Sequence, residues 1–121
     1  MAAPQAGPAW RDSLSAYARP DVGRAVLDIA TALVPYMGLC ALMYVLLPVS
    51  YLLALAVAIP AAGCAVRTFI VFHDCGHGSF LPSKRANAWV GTIAGLIVYM
   101  PYLWWRHDHA IHHATAGDLD R

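Results

Sequence analysis

The chain has 121 residues, of which 60% are apolar and only 12% are charged. An ordinary soluble domain is about 45–50% apolar and about 25% charged, so this composition predicts a membrane protein. Eight Lys and Arg residues nearly balance seven Asp residues, which gives a formal net charge of +1. This balance excludes the basic surface that nucleic-acid-binding proteins use, and we predict no nucleic-acid partner.

The first 25 residues are polar and contain several Pro and Ala residues. They are too long for the short basic region that opens a secretory signal peptide, so we expect residues 1–25 to be a cytosolic N-terminus. Within it, Ser13 is suited to cap a short helix that continues through Tyr17 and ends at Pro20. Residues 1–9 are expected to be disordered.

Two apolar runs of 22 residues, 26–47 and 51–72, follow this N-terminus. As helices, both are long enough to cross the hydrocarbon core of a membrane, which is about 30 Å thick. The turn 47–50 between them carries no charge, so the sequence predicts a transmembrane helical hairpin. Positive residues flank only its outer ends and therefore place both ends in the cytosol. They are Arg11, Arg19, Arg24, Lys84 and Arg85.

Two charged residues fall within the predicted spans. Asp28 is in the first turn, where a carboxylate suits the helix N-terminus and reaches the membrane interface. Arg67 lies more than one turn before the end of the second run. Its side chain must either snorkel to the lipid headgroups or meet an acidic residue or a polar substrate group, and the sequence leaves both alternatives open.

A third apolar run, 88–105, has 18 residues and is at the lower limit of spanning length. If it crossed the membrane, the histidines before and after it would lie on opposite sides and could not share a metal ion. Pro101 and the closing aromatic residues favour an interfacial or re-entrant segment instead. These aromatic residues are Tyr99, Tyr102, Trp104 and Trp105.

The predicted architecture is therefore an all-α membrane protein organised as one domain over residues 1–121. The transmembrane hairpin is followed by a histidine cluster and loop at 73–87 and by the interfacial or re-entrant segment. A cytosolic histidine-rich helix at 106–121 completes the chain. Three cysteines without C-x-x-C spacing, Cys40, Cys64 and Cys75, indicate no disulfide framework.

All six histidines lie between residues 73 and 113. Residues three and four apart share a helix face, so His73 and His77 point the same way. The same holds for a second cluster, formed by His109, His112 and His113. Five imidazoles beside a membrane are costly to desolvate unless they are bound or hydrogen-bonded, and imidazole suits iron, zinc, copper and nickel. We predict a metal site, with His107 off the shared face.

The first cluster also fits H-D-x-x-H, one methylene short of the H-E-x-x-H helix of zinc proteases, in which Glu is the general base. This spacing leaves a membrane zinc protease as a minor alternative. That alternative uses only His73 and His77 and gives the second cluster no role. The shorter acidic side chain of Asp74 weakens it further, as does a glycine, Gly76, inside the motif.

Together, "HDCGHGSF" from His73 and "WWRHDHAIHHATAGDLDR" from Trp104 resemble the first two histidine boxes, HxxxH and HxxHH, of the integral-membrane fatty acid desaturases. The resemblance is greatest to acyl-lipid, Δ12-like bacterial members, and it covers nearly the whole chain. It implies a non-haem centre of two iron ions that activates O₂ and forms a cis double bond in a fatty acyl chain. The implied substrate is a membrane lipid or acyl-CoA, and the implied electron donor is ferredoxin or cytochrome b5.

The resemblance assigns metal-ligand roles to five histidines and places the site at the cytosolic face, in a bacterial inner membrane. The five are His73, His77, His109, His112 and His113. It makes His107 a non-ligand and Cys75 a small residue that does not bind metal. Asp74 and Asp108 each neighbour a ligand, so either could orient an imidazole or be a solvated or capping carboxylate. Gly76 eases close packing, and Gly117 is suited to cap the last helix.

The family carries a third histidine box after a second pair of membrane helices, and residues 1–121 contain no such box. We therefore expect this sequence to be the N-terminal part of a desaturase and to be inactive alone. A non-catalytic truncated membrane polypeptide is the alternative from another class. Related di-iron hydroxylases and ketolases use similar boxes and also remain open.

Overall fold

A computed structural model describes residues 19–117. Within this range the chain forms four α-helices, which confirms the predicted all-α architecture. They are α1 (Val22–Leu46), α2 (Tyr51–His77), α3 (Lys84–Ile97) and α4 (Tyr102–Thr115). The predicted short helix from Ser13 and the predicted disorder of residues 1–9 lie outside the described residues.

Helices α1 and α2 form the predicted hairpin, and both are long and apolar enough to cross a membrane. Each begins where a side chain accepts a hydrogen bond from a first-turn N–H group, the standard N-cap arrangement. Asp21 accepts from Arg24 N at 2.9 Å, and Ser50 accepts from Leu53 N at 3.4 Å. A polar side chain directly before each apolar run therefore fixes where each helix begins.

Small residues line the contact between α1 and α2, whereas large apolar side chains face outward. The buried positions are Ala25 and Ala32 on α1 with Ala54 and Ala61 on α2. Small side chains let helix backbones approach closely, which is how helices associate in lipid. Many valine, leucine and isoleucine side chains on both helices are more than half exposed. This distribution suits a helix pair surrounded by lipid.

Arg67 finds its partner on the other helix of the hairpin. Its Nη2 donates to Thr31 Oγ1 at 2.9 Å and lies 3.9 Å from Asp28 Oδ1. Of the two alternatives left open by the sequence, the structure shows the contact with an acidic residue. The charge inside α2 is thus offset by a carboxylate on α1, and the pair joins the two spans.

Helix α2 does not end with its apolar run at residue 72 but continues to His77. It ends at Gly78, whose left-handed φ of 70° lets its N–H donate to Cys75 O at 3.0 Å. At 1.5 Å per residue the 27-residue helix is about 40 Å long, about 10 Å more than the hydrocarbon core. His73 and His77 therefore lie on a helical extension beyond the part that a membrane would cover.

The predicted segment 88–105 is not one element. Helix α3 begins earlier, at Lys84, and ends at Ile97; α4 begins at Tyr102 and is bent by 103° from α3. Pro101 lacks an N–H group and cannot continue a helix, and Tyr99 has a left-handed φ of 58°. Trp104 and Trp105 consequently belong to the histidine-bearing helix. The bend returns α4 toward the end of α2.

The core lies where α2, α3 and α4 meet. Phe72 is fully buried there, and the Tyr102 hydroxyl donates to Cys75 O at 2.7 Å, which ties the start of α4 to α2. The Tyr102 ring lies directly over Gly91, where a Cβ atom would overlap it. This close approach explains the need for a glycine inside α3. The core residues are Val71, Phe72, Cys75, Ala94 and Tyr102.

The loop between α2 and α3 is held by Asn87, a residue to which the sequence pattern assigned no role. Its buried side chain donates to Leu81 O at 2.6 Å and Ser83 O at 2.9 Å, and it accepts from Leu81 N at 3.0 Å. A buried amide whose hydrogen bonds are satisfied fixes the backbone around it. The loop after the first histidine cluster is thus rigidly placed.

Candidate metal centre

Four of the six histidines converge in one place, two from the end of α2 and two from α4. One ligand atom from each of His73, His77, His109 and His113 lies within 4.8 Å of all the others. Their Nε2 atoms form a series in which His73 and His77 are 3.3 Å apart, His77 and His109 are 3.2 Å apart, and His109 and His113 are 3.1 Å apart. Both clusters therefore lie on the same side of the hairpin.

This arrangement fits a bound metal ion. Two ligands held about 2.1 Å from one ion at angles of about 90–109° are about 3.0–3.4 Å apart, which matches the observed separations. Each Nε2 points in one in-plane direction, as donor or as acceptor, so three successive contacts cannot all be linear hydrogen bonds. A shared cation would accept the lone pairs of all four rings.

Asp74 lies beside His73, with 3.1 Å between its Oδ1 and the ring Nδ1. When Nδ1 carries the proton it donates to this carboxylate, which leaves the Nε2 lone pair aimed at the other imidazoles. The carboxylate contacts the ring nitrogen that points away from the cluster. A zinc-protease base must instead face the metal-bound water, so this geometry disfavours the protease alternative.

His112 is outside the group of four. Its ring centroid lies 6.1 Å from that of His109 and 5.9 Å from that of His113, at the edge of the cluster. His107 is exposed and also lies outside the group. Within residues 19–117, the hydrogen bonds of the histidine side chains are to Asp74 and to one another, and none is to Asp108. The metal-ligand roles of all five histidines and the orienting roles of Asp74 and Asp108 stay predictions.

Trp105 packs against both histidine pairs. Its ring is stacked on His109 with 4.3 Å between centroids, and it meets His73 edge-on at 5.7 Å. Gly76 makes room for it, because a Cβ atom there would lie 2.8 Å from Trp105 Cζ3. The sequence pattern predicted that Trp105 lies at the membrane interface. Its position four residues before His109, on the same helix face, is the signal that could have placed it in the site.

The pKa of His109 is lowered below its ordinary value. Desolvation is the largest cause, and repulsion from the neighbouring imidazoles of His113 and His73 adds to it. The neutral ring keeps a lone pair available, and metal binding requires the neutral form. A cavity of about 410 Å³ opens onto the cluster. Its lining residues are Gly76, His77, Arg106, His109, Ala110 and His113.

Comparison with known families agrees with this geometry. Residues 46–121, more than half of the chain, match the model of the family described as "Fatty acid desaturase". The chain belongs to the fatty acid desaturase family. The resemblance noted from the two histidine boxes is thereby confirmed at the level of the family.

Individual relatives point the same way. A "Fatty acid desaturase" of Bacillus subtilis is 44% identical over 108 residues, which is 89% of this chain and 31% of that protein. An "sn-1 acyl-lipid omega-3 desaturase (ferredoxin)" of Synechocystis is 48% identical over 52 residues, 43% of this chain and 14% of that protein. An endoplasmic reticulum omega-3 fatty acid desaturase of Vigna radiata is 42% identical over 53 residues, 44% of this chain and 14% of that protein.

The matched region covers 31% of the length of the Bacillus protein and a smaller share of the other two relatives. No solved structure matches this chain.

Proposed function

We propose that this chain forms part of an enzyme that desaturates a fatty acyl chain of a membrane lipid, using O₂ and a histidine-bound di-iron centre. The observation that carries the proposal is the convergence of four imidazoles from both histidine boxes, with neighbouring Nε2 atoms 3.1–3.3 Å apart. This site lies at the end of an apolar hairpin in a member of the fatty acid desaturase family.

The proposed iron ligands are His73, His77, His109, His112 and His113. Four of them share one centre in the structure, and His112 lies at its edge. Two iron ions have more coordination positions than five imidazoles fill, so the active centre takes further ligands beyond these five. We propose that residues 1–121 alone do not desaturate lipid without them.

When bound, the iron ions would supply the chemistry that reduces O₂ to two water molecules, using one hydrogen from each of two adjacent acyl methylenes, two electrons from an external donor and two protons from water. The residues of this chain prepare the site for that chemistry. The Asp74 carboxylate holds His73 in the tautomer that presents Nε2. The Trp105 indole covers one face of His109 and excludes water from it.

For substrate and electron donor, we favour an acyl lipid and a ferredoxin over acyl-CoA and cytochrome b5. The support is the Synechocystis relative, whose name specifies both an acyl lipid and ferredoxin. We further propose that the metal centre faces the cytosol of a bacterium. Positive residues occur near the start of α1 and at the start of α3, at the histidine end of the hairpin, and they favour the cytosolic side.

The direct test expresses the native protein, together with whatever supplies the further iron ligands, in a bacterial host with saturated membrane acyl chains and analyses those chains by gas chromatography and mass spectrometry. New cis double bonds that require O₂, together with protein-bound iron, are expected. His73→Ala and His109→Ala should abolish the new double bonds, whereas His107→Ala, a matched change outside the cluster, should keep them. Unsaturated product that persists in the His73 or His109 variant would contradict the proposal. Hydroxylated acyl chains instead would indicate the related hydroxylase.

A further inference from the structure

A second cavity, of about 300 Å³, adjoins His77 where α2 ends, α3 begins and α4 passes. Two cationic side chains line it, Lys84 at the start of α3 and Arg106 on α4. The lining contains no acidic residue. In the described part of the chain, neither cation forms a salt bridge with a carboxylate. The cavity therefore has a positive potential that suits an anion.

The Tyr102 hydroxyl and the Asn87 side-chain amide, which also line this cavity, already form hydrogen bonds within the protein. The Tyr102 hydroxyl donates to Cys75 O, and the Asn87 amide donates to Leu81 O and Ser83 O. These bonds fix the walls of the cavity and leave recognition of a ligand to Lys84 and Arg106. Arg presents a planar fork of donors that matches phosphate oxygens, and Lys adds a compact charge.

The position of the cavity along the hairpin identifies the anion. The cavity is lined by residues near the C-terminal end of α2, beyond the roughly 20 residues that a hydrocarbon core covers. Exposed aromatic residues lie close by in the chain, with Tyr99 91% exposed and Trp104 64% exposed, as is usual at headgroup level. Phosphate is the anionic group concentrated at that level.

We infer that this cavity binds the phosphate of a phospholipid head group. His77 and Arg106 line both this cavity and the cavity of about 410 Å³ that opens onto the imidazole cluster. A phospholipid held here would therefore lie beside the candidate metal centre. The inference that this phospholipid is the substrate rests on the proposed desaturase function. The inference that the cavity binds phosphate depends only on the residues that line it.

The test measures binding by calorimetry, with the native protein in an uncharged, phosphate-free detergent. One titration uses short-chain phosphatidylglycerol and a second uses inorganic phosphate. The lipid should bind, and the double variant Lys84→Gln/Arg106→Gln should weaken that binding at least about tenfold, because two charge-assisted hydrogen bonds are lost. Arg24→Gln/Arg85→Gln removes the same charge outside the cavity and should leave the affinity unchanged.

If both double variants lose lipid affinity equally, the proposed site is wrong, because the affinity would then depend on the net charge of the protein and not on the cavity. Inorganic phosphate that binds as tightly as the lipid would overturn the assignment to a lipid head group in favour of a free phosphate. Co²⁺ binding is measured in parallel and should be the same in the wild type and in Lys84→Gln, because Lys84 lines only the phosphate cavity. A wild-type protein that binds the lipid but does not bind Co²⁺ would contradict the proposed desaturase function while supporting the phosphate site.

Discussion

The indole of Trp105 is stacked on the imidazole of His109, with 4.3 Å between centroids and 16° between planes. The two residues are one turn apart on α4, yet the same indole also contacts α2, where it lies 4.6 Å from Phe72 and 5.7 Å from His73 between centroids. One side chain thus contacts a histidine of each cluster. Its shape sets how closely α2 and α4 bring their imidazoles together.

Replacement of Trp105 by Leu should weaken metal binding about tenfold or more, the usual effect of losing a group that orients metal ligands. Trp105→Phe keeps an aromatic face and should retain most of the affinity. Titration with Co²⁺, followed by its visible absorption, measures the effect.

Trp104→Leu is the matched control, because Trp104 is 64% exposed and lies outside the cluster. Gly76→Ala tests the same contact from α2, since the added Cβ would displace the indole. Gly63→Ala on the same helix has no atom within 4 Å of the new Cβ and should bind Co²⁺ normally. Unchanged affinity in Trp105→Leu would show that the stack does not position His109.

The Asp74 carboxylate is predicted to orient His73, which it contacts at Nδ1 with a separation of 3.1 Å. Asp74→Asn keeps the size of the side chain and removes its charge, so metal affinity should fall about 10–100-fold. The same Co²⁺ titration measures it. Asp108→Asn provides the comparison for the other predicted orienting residue. Equal losses in the two variants would assign an orienting role to Asp108 as well, whereas no loss in either would remove that role from both.

The contact between Arg67 and Asp28 should couple the two membrane helices. In a double-mutant cycle with Arg67→Gln and Asp28→Asn, we expect a coupling energy of about 0.5–1 kcal/mol, because both side chains are about half exposed and solvent screens the pair. Thr31→Val separates the hydrogen bond to Thr31 Oγ1 from the ion pair. Unfolding in detergent gives the free energies. Additive single effects would mean that Arg67 reaches solvent or headgroups independently of Asp28.

The sequence predicted the hairpin and the histidine clusters because both depend on local spacing. The length of an apolar run shows whether a helix can cross a membrane, and i, i+4 spacing alone puts His73 and His77 on one helix face. The sequence did not predict the 103° bend after Ile97, because a run of apolar residues containing one proline is compatible with several chain paths. It also could not separate His112 from His113. Only the approach of α4 to α2 determines which of these neighbours meets the cluster.

Metal binding at the cluster should weaken as the pH falls, because protons compete with the metal for the same imidazole lone pairs. For a histidine with the ordinary pKa of about 6.5, the neutral fraction of the ring falls roughly tenfold with each pH unit below that value. The pKa values of His77 and His109 are lowered, so these two rings stay neutral to a lower pH than an ordinary histidine and contribute less to the loss.

We therefore expect Co²⁺ affinity to be nearly constant above pH 7 and to fall more than about tenfold by pH 5.5, because protons compete with the ion for the imidazole lone pairs. In the metal-free protein the same lowered pKa means that the unfolded chain binds more protons, so stability falls as pH drops below the ordinary value. His107→Ala should leave the metal profile unchanged. A Co²⁺ affinity independent of pH would show that the bound ion is not held by these imidazoles.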